Sequence, residues 1–434
     1  MMAPLVRELW EMEELVEEIL IRIPPEEPAV LIRASLACKP WCRLLSGNGF
    51  RSRYLTLHRT PPILGFLQSW EDTVERFVPT TNFCPRNPDR RESLVMDCHH
   101  GRVLLECDWD EAEDEKENEG EKAGKEEEEK QDDAEEEGDL DVEEEEGTLK
   151  MVVWDPVSGS RTKLRGLDIF DPDINGSSYR GTVLCALDGC NHAACNLGPF
   201  FVVFISLDEQ DEDDEIQDDN YMSHVWASVY SSETREWTSP TSIHIGGVGR
   251  FGASIVGRPS VLVGQALHFL LWDQGILILK YDLVRHRLSV IRLPGLCVSC
   301  QNPILISPDD SRLGLVNLGK DKVCSMWLVE VSVDGVASLI QLREIDLKTL
   351  VPIGNPRSSK SVKLVGCVEG TDIIIVATDL GAFTIDLKSL RSRKLSSNFA
   401  FRRYVLQSLF LYMSFNTPPA VAGAVAETET KISK

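Results

Sequence analysis

The sequence predicts an α+β, multi-domain chain: a small N-terminal unit of three helices, then a large all-β domain folded as a β-propeller of about six blades, interrupted by a disordered acidic insert. Three observations carry this. Residues 12–58 hold apolar side chains at helical spacing. From Pro61 onward, β-branched and aromatic runs alternate with turn residues at spacings near ten. One degenerate phrase recurs through that β region about every fifty residues.

The helical unit comes first. Leu15, Ile19 and Ile23 recur every four residues, with Glu14, Glu17 and Glu18 mostly on the opposite side. "IPPEEP" ends that helix, because proline cannot donate within a helix and restricts the residue before it. Periodicity resumes at Leu31, Ala34, Cys38, Trp41 and Leu45. Pro40 ends the second helix near Cys38 and starts a third, with Trp41 in its first turn, and "SGNG" breaks the run. Three short helices of about forty-five residues cannot bury a core alone, so their apolar stripe needs a partner.

The β region supplies about sixteen strand candidates, such as "GRVLLEC", "PFFVVFISL", "GILILKYDL" and "DIIIVATD". In "VVWDPVSGSRTKL", "ASVYSSETREWTS", "ILKYDLVRHRLSVIRL" and "AFTIDLKSLRSRKL" a strand, an acidic or small turn and a basic strand follow one another. The anchors are Asp155, Ser231, Asp282 and Asp386, with a weaker copy near Val331. A period near fifty with about four strands per unit marks a propeller blade. A large β-sandwich, or two stacked β domains, is the alternative.

The formal net charge is −25, and it is concentrated. Residues 106–146 hold 25 acidic residues against 4 lysines, and residues 208–219 hold 9 acidic and no basic residues. The rest of the chain carries a formal +5. Like-charge blocks repel and stay disordered, and a hairpin loop tolerates long insertions because closure entropy grows only logarithmically. Both are read as solvated loop tips; an acidic segment that docks a basic partner is the other reading. Glu8, Glu11, Glu13 and Glu14 interrupt any signal-peptide apolar region, and the longest apolar runs fall short of a membrane span. The 12 cysteines then read as reduced, mostly buried thiols of a cytoplasmic or nuclear protein.

Near-motifs for chemistry fail on context. "GVGRFG" (247–252) fits a dinucleotide loop, but a strand-like segment with Gly257 and Pro259 follows where a helix is needed. "GLVNLGKD" (314–321) has Asp321 in place of the magnesium-binding Ser/Thr and reads as a hairpin between blade strands. Cys185, Cys190, His192 and Cys195 fall within eleven residues, but they lack a CxxC pair and Cys185 sits in an apparent strand. "CVSC" (297–300) has no second pair at ribbon spacing. Both are read as buried or loop thiols, so no metal site is expected. The sequon Asn175-Gly176-Ser177 is set aside with the signal peptide. The eight histidines suggest no catalytic grouping, and neither catalytic residues nor a cofactor is expected.

Residues 15–45 resemble the F-box, in the version found in large plant families including the grasses. The anchors are Leu15, Val16, Ile19, Leu20, Ile23-Pro24-Pro25, Leu31, Arg33-Ala34-Ser35, Cys38-Lys39, Trp41 and Leu44; Phe50 and "RSRY" fit the trailing helix. "HRTPPILGF" (58–66), "DCHHGRVLL" (97–105), "VVWDPVSG" (152–159), "SSETREW" (231–237) and "VGQALHFLLW" (263–272) look like the propeller-type associated domain of those proteins.

The resemblance implies a substrate-recognition subunit of an SCF-type cullin–RING ubiquitin ligase. An F-box packs on a Skp-type adaptor, which tethers it to cullin and RING subunits, while the β domain recruits a target protein. Leu15, Ile19, Pro24, Leu31, Cys38 and Trp41 are the candidates for the adaptor interface or its immediate support; Trp41 reads equally as an internal core residue. The target is not legible, although loop residues around Trp70, Trp272 and Trp327 are where it would be sought. No nucleic-acid or membrane partner is expected. The family opens its first helix with Leu-Pro, and the matching positions here are Glu11 and Met12. That departure supports one alternative to the receptor, a propeller interaction scaffold whose F-box no longer engages the ligase; a second alternative is a propeller enzyme such as a sugar oxidase or hydrolase. The boundaries expected are 8–58 for the helical domain, 59–415 for the β domain with its insert at 106–147 and a short acidic loop at 208–219, and 416–434 for a flexible tail.

Overall fold

The structure, a computed structural model, describes residues 13–69, 77–86, 93–107, 149–209, 222–246, 253–293, 301–358, 361–395 and 408–415, less 166, 168–177, 188, 191, 193–194, 196–197, 274, 310 and 333–336. The expectations for Glu11 and Met12, the acidic runs at 108–148 and 210–219, residues 175–177, 247–252, 297–300, Trp70 and the tail at 416–434 lie outside the described residues.

Four helices come first: α1 (Glu13–Leu20), α2 (Pro28–Ala37), α3 (Lys39–Leu45) and α4 (Asn48–His58). Their ends fall where the backbone chemistry puts them. The pair Pro24-Pro25 follows α1, Pro28 opens α2, and Pro40 sits in the first turn of α3 behind an extended Cys38 at φ −160°. Three helices match the expected unit, and α4 is the trailing helix, which begins within "SGNG" at Asn48 after its N-cap Gly47. Val16, Leu20, Leu31, Leu45, Phe50 and Tyr54 form the core of the head, joined by Phe415 from the end of the β domain. Tyr54 donates through its hydroxyl to the Ile23 carbonyl at 3.0 Å and meets the Phe415 ring edge-on at 6.0 Å. The head is completed by the body it precedes, as its size requires.

The β domain is a ring of six antiparallel sheets. Blade one pairs Ile63–Ser69 with Phe77–Pro79 and with the late strand Ser408–Met413, so the two ends of the domain close the ring. Blade two holds Ser93–His99, Arg102–Cys107, Met151–Trp154 and Arg161–Lys163. Blade three runs from Ser178–Cys185 through Phe200–Glu209 and Met222–Ser231, with Glu236–Trp237 and Thr241–Gly246 both on the latter. Blades four, five and six span 254–292, 301–346 and 362–394.

Six apolar clusters fill the six gaps between neighbouring blades, the last joining Val365, Ile375 and Ala377 of blade six to Phe66 and Leu409 of blade one. Successive residues of one strand feed opposite gaps. Val202 and Phe204 pack toward blade two, while Val203, Ile205 and Leu207 pack toward blade four. That is why "FFVVFISL" is apolar on both faces, Ser206 apart, and not alternating. The closed ring sets aside the sandwich alternative.

The described residues hold 25 strands where the sequence suggested about sixteen. The difference lies chiefly in pieces of two or three residues such as Phe77–Pro79, Arg161–Lys163 and Ser254–Ile255, too short to show a period. The segment "GLVNLGKD" is the hairpin expected, between Arg312–Leu318 and Val323–Val331. Trp272 and Trp327 themselves lie in the strands Ala266–Trp272 and Val323–Val331. Both pack into the gap between blades four and five, and the Trp327 indole donates to Asn317 Oδ1 at 3.2 Å.

Candidate functional sites at one end of the ring

Two features need a functional account: an apolar face on the helical head and a cavity beside it that carries charged groups in its wall. The cavity has a volume of about 520 Å³ and takes wall residues from every blade: Leu409 and Met413 of blade one, His99 and His100 of blade two, Cys190 and His192 beyond blade three's first strand, Ser260 of blade four, Ser307 of blade five and Glu369 of blade six. Arg59, Thr60 and Pro61, where the chain passes from α4 into blade one, form part of its wall.

On the head, α1 presents Leu15 at 40% and Ile19 at 58% exposure, one turn apart. Pro24 and Cys38 are also exposed, as is Leu36 near the end of α2. Leu31 is placed otherwise: at 1% exposure it lies in the head's own core and can only support the face from beneath. Trp41 is half-buried against the same core, between the two roles considered for it.

In the cavity, residues far apart in sequence converge. Asp97 is buried and accepts hydrogen bonds from the Cys98 amide at 2.8 Å, the Thr182 hydroxyl at 2.9 Å and the Ser260 hydroxyl at 2.7 Å. It thus links blades two, three and four at the centre of the ring. His99 lies between carboxylates, with Nδ1 3.0 Å from Glu369 Oε1 and Nε2 3.5 Å from Asp97 Oδ2. Glu369, its side chain 38% exposed, also holds His100 Nε2 at 3.2 Å. His100 Nδ1 in turn accepts the Cys185 amide at 3.0 Å, which fixes the His100 proton on the Nε2 side facing Glu369.

Burial opposes charge on His99, Glu369 and Asp97, and the mutual attraction outweighs it. His99 is held well above the ordinary imidazole range by Glu369 and Asp97, and Glu369 well below the carboxylate range by His99 and His100. Asp97 is lowered by His99 in the same way. His99 also comes within 3.2 Å of the Ser260 hydroxyl. Ser, His and Glu in contact invite a nucleophilic reading. Two facts argue against it: the Ser260 proton goes to Asp97, and a protonated imidazole has no lone pair with which to accept one. The arrangement can hold charge and bind polar groups. Sequence reasoning missed it, because its members come from four different blades.

Beyond blade three's inner strand, the ligand atoms of Cys185, Cys190, His192 and Cys195 lie within 4.8 Å of one another. Spacing alone had set these four aside. The turn that gathers them uses left-handed backbone at Gly189 (φ 64°) and His192 (φ 54°). Cys190 and His192 face the cavity, and the His192 ring stacks on His100 at 3.7 Å. Burial pushes the Cys195 thiol up, as do the neighbouring Cys185 and Cys190.

No family model matches the chain, and no curated protein matches it. Among solved structures it is similar to Porphyromonas gingivalis dipeptidyl peptidase 4, at 12% identity and a TM-score of 0.29 over 77% of this chain and 44% of that one. It is also similar to the β-propeller domain of Myceliophteria thermophila Cps50 (Swd1), at 10% identity and a TM-score of 0.28 over 58% of this chain and 81% of that one. The chain thus spans less than half the length of the peptidase. Likenesses this distant carry no functional argument. Among the described residues, no helix is long and apolar enough to cross a membrane.

Proposed function

We propose that the protein is a substrate receptor of an SCF-type cullin–RING ubiquitin ligase, its helical head docking on a Skp-type adaptor and its propeller recruiting a protein target in the cytoplasm or nucleus. The observation that carries this is the exposed apolar pair Leu15 and Ile19, on a head whose sequence resembles an F-box. An apolar helical face left in water favours a groove that covers it. Leu31 and Trp41 support the head from its core, and Pro24 and Cys38 are exposed on it.

On this reading the chain performs no covalent step. It raises the local concentration of target lysines near a ubiquitin-charged enzyme held by the RING subunit. The cavity between His99, His100 and Glu369 suits a side chain or a short terminus of the target more than a folded domain.

Co-expression of the full chain with a Skp-type adaptor tests the proposal. A stoichiometric complex that is lost in Leu15→Asp/Ile19→Asp supports it. Soluble chain and adaptor that never associate would favour the other reading, a propeller scaffold with a disabled F-box. The full chain is needed because Phe415 is part of the head's core.

A further inference from the structure

We infer that Cys185, Cys190, His192 and Cys195 form a structural zinc site that fixes the loop between the first two strands of blade three at the mouth of the cavity. A tetrahedral zinc with bonds of about 2.3 Å to sulfur and about 2.0 Å to nitrogen holds its ligand atoms roughly 3.5–3.8 Å apart. The four ligand atoms already lie within 4.8 Å of one another, and Cys195 Sγ is 3.8 Å from His192 Nδ1. Contraction of a few tenths of an ångström up to about one ångström closes the set, within the reach of side-chain rotation.

Three features surrounding the cluster are those a thiolate-bound metal requires. The amide of Leu187 donates to Cys185 Sγ, and the amide of His192 donates to Cys190 Sγ, each at 3.4 Å and each from two residues beyond the sulfur. Such N–H···S bonds spread the charge of a ligating thiolate and fix its direction. Second, zinc with three thiolates and one imidazole carries a net charge of −1, and Arg102 supplies a neighbouring positive charge. Arg102 is 1% exposed and donates to the carbonyls of Cys195 and Gly198 at 2.6 and 2.7 Å, so it clamps the loop that holds the last ligand. Third, the His192 ring is already oriented. It stacks on His100, which is itself pinned by the Cys185 amide and Glu369.

Three sulfurs and an imidazole in this geometry select zinc over the oxygen-seeking divalent ions. Four protein ligands leave no open position, so the metal's role is to hold structure and not to activate water. The ligand spacing, Cys-x4-Cys-x-His-x2-Cys, is compact enough for one turn to supply all four donors. The three cysteines are free thiols in the structure. Because Cys190 and His192 also line the cavity, the metal would fix one wall of it.

The test uses the full chain purified under reducing conditions without chelator. Elemental analysis is expected to find one zinc per chain, falling at least tenfold in Cys190→Ser and unchanged in Cys84→Ser, an exposed thiol outside the cluster. Exchange of the wild-type metal for cobalt is expected to give thiolate-to-cobalt charge-transfer absorption and the visible bands of a tetrahedral ion. The cobalt spectrum needs no variant, so it stands even if Cys190→Ser fails to fold. A folded wild-type chain that stays metal-free after incubation with zinc, or zinc retained in Cys190→Ser, or an octahedral cobalt spectrum, would each overturn the assignment.

Discussion

The Tyr412 hydroxyl donates to Asp155 Oδ1 at 3.2 Å, joining the closing strand of blade one to a hairpin of blade two 257 positions earlier. Both residues are buried, and Asp155 also accepts the Val157 amide and the Ser158 hydroxyl. The contact ties the ring's closing strand to the neighbouring blade across the gap between blades one and two. Tyr412→Phe keeps the packing and removes the donor, leaving a buried carboxylate oxygen short of one partner. It is expected to lower unfolding free energy by about 1–3 kcal/mol with little change in the denaturant slope. Urea titration of the two proteins measures this.

Asp155 is also one of the four anchors from which the blade period was read, and the structure shows why they recur. Asp155, Ser231, Asp282 and Asp386 each end or immediately follow the third strand of a blade. Each accepts a backbone amide two residues on, and four residues on the chain turns left-handed at Gly159, Arg235, His286 and Leu390. The repeated phrase is thus a repeated hairpin, and its side-chain chemistry stayed legible because the turn needs it. The cavity network left no such trace. Asp97, Thr182, Ser260 and Glu369 are single polar residues in unrelated contexts, and only closure of the ring brings them together. The cysteine cluster lay between these cases: local in sequence, but hidden by a spacing that depends on left-handed residues in its turn.

Leu390 is one of those left-handed positions, and at φ 55° its Cβ is held close to the following carbonyl oxygen. Leu390→Gly is expected to raise stability by about 1 kcal/mol. Thermal unfolding of the full chain reads the change; a lower melting temperature would mean that the half-exposed side chain is worth more in contacts than it costs in strain.

Phe415 ties the head to the body through Tyr54 and the head's core. Phe415→Ala is expected to cost about 3 kcal/mol, by analogy with large core truncations. Limited proteolysis near residues 59–61 should then release the head several-fold faster than in wild type, while the propeller stays resistant.

The charge network gives stability a pH signature. His99 is raised in the folded state, so its contribution is complete below the ordinary imidazole value of 6.5 and is lost as pH rises through the folded value. Glu369 is lowered, so its contribution is complete above the ordinary value of 4.5 and is lost as pH falls through the folded one. The network therefore supports the fold most between these two values. In Glu369→Gln the decline on the alkaline side should flatten, because His99 loses its first-ranking stabilising charge. Urea midpoints measured from about pH 5 to about pH 9 test this.

The receptor account stands or falls on the head. Isothermal titration of a Skp-type adaptor into the full chain, compared with Leu15→Asp/Ile19→Asp, addresses it most directly. The account predicts saturable one-to-one binding in wild type and at least a hundredfold weakening in the variant, with both proteins equally folded. Absence of binding in wild type, or binding that the two substitutions leave unchanged, would contradict it.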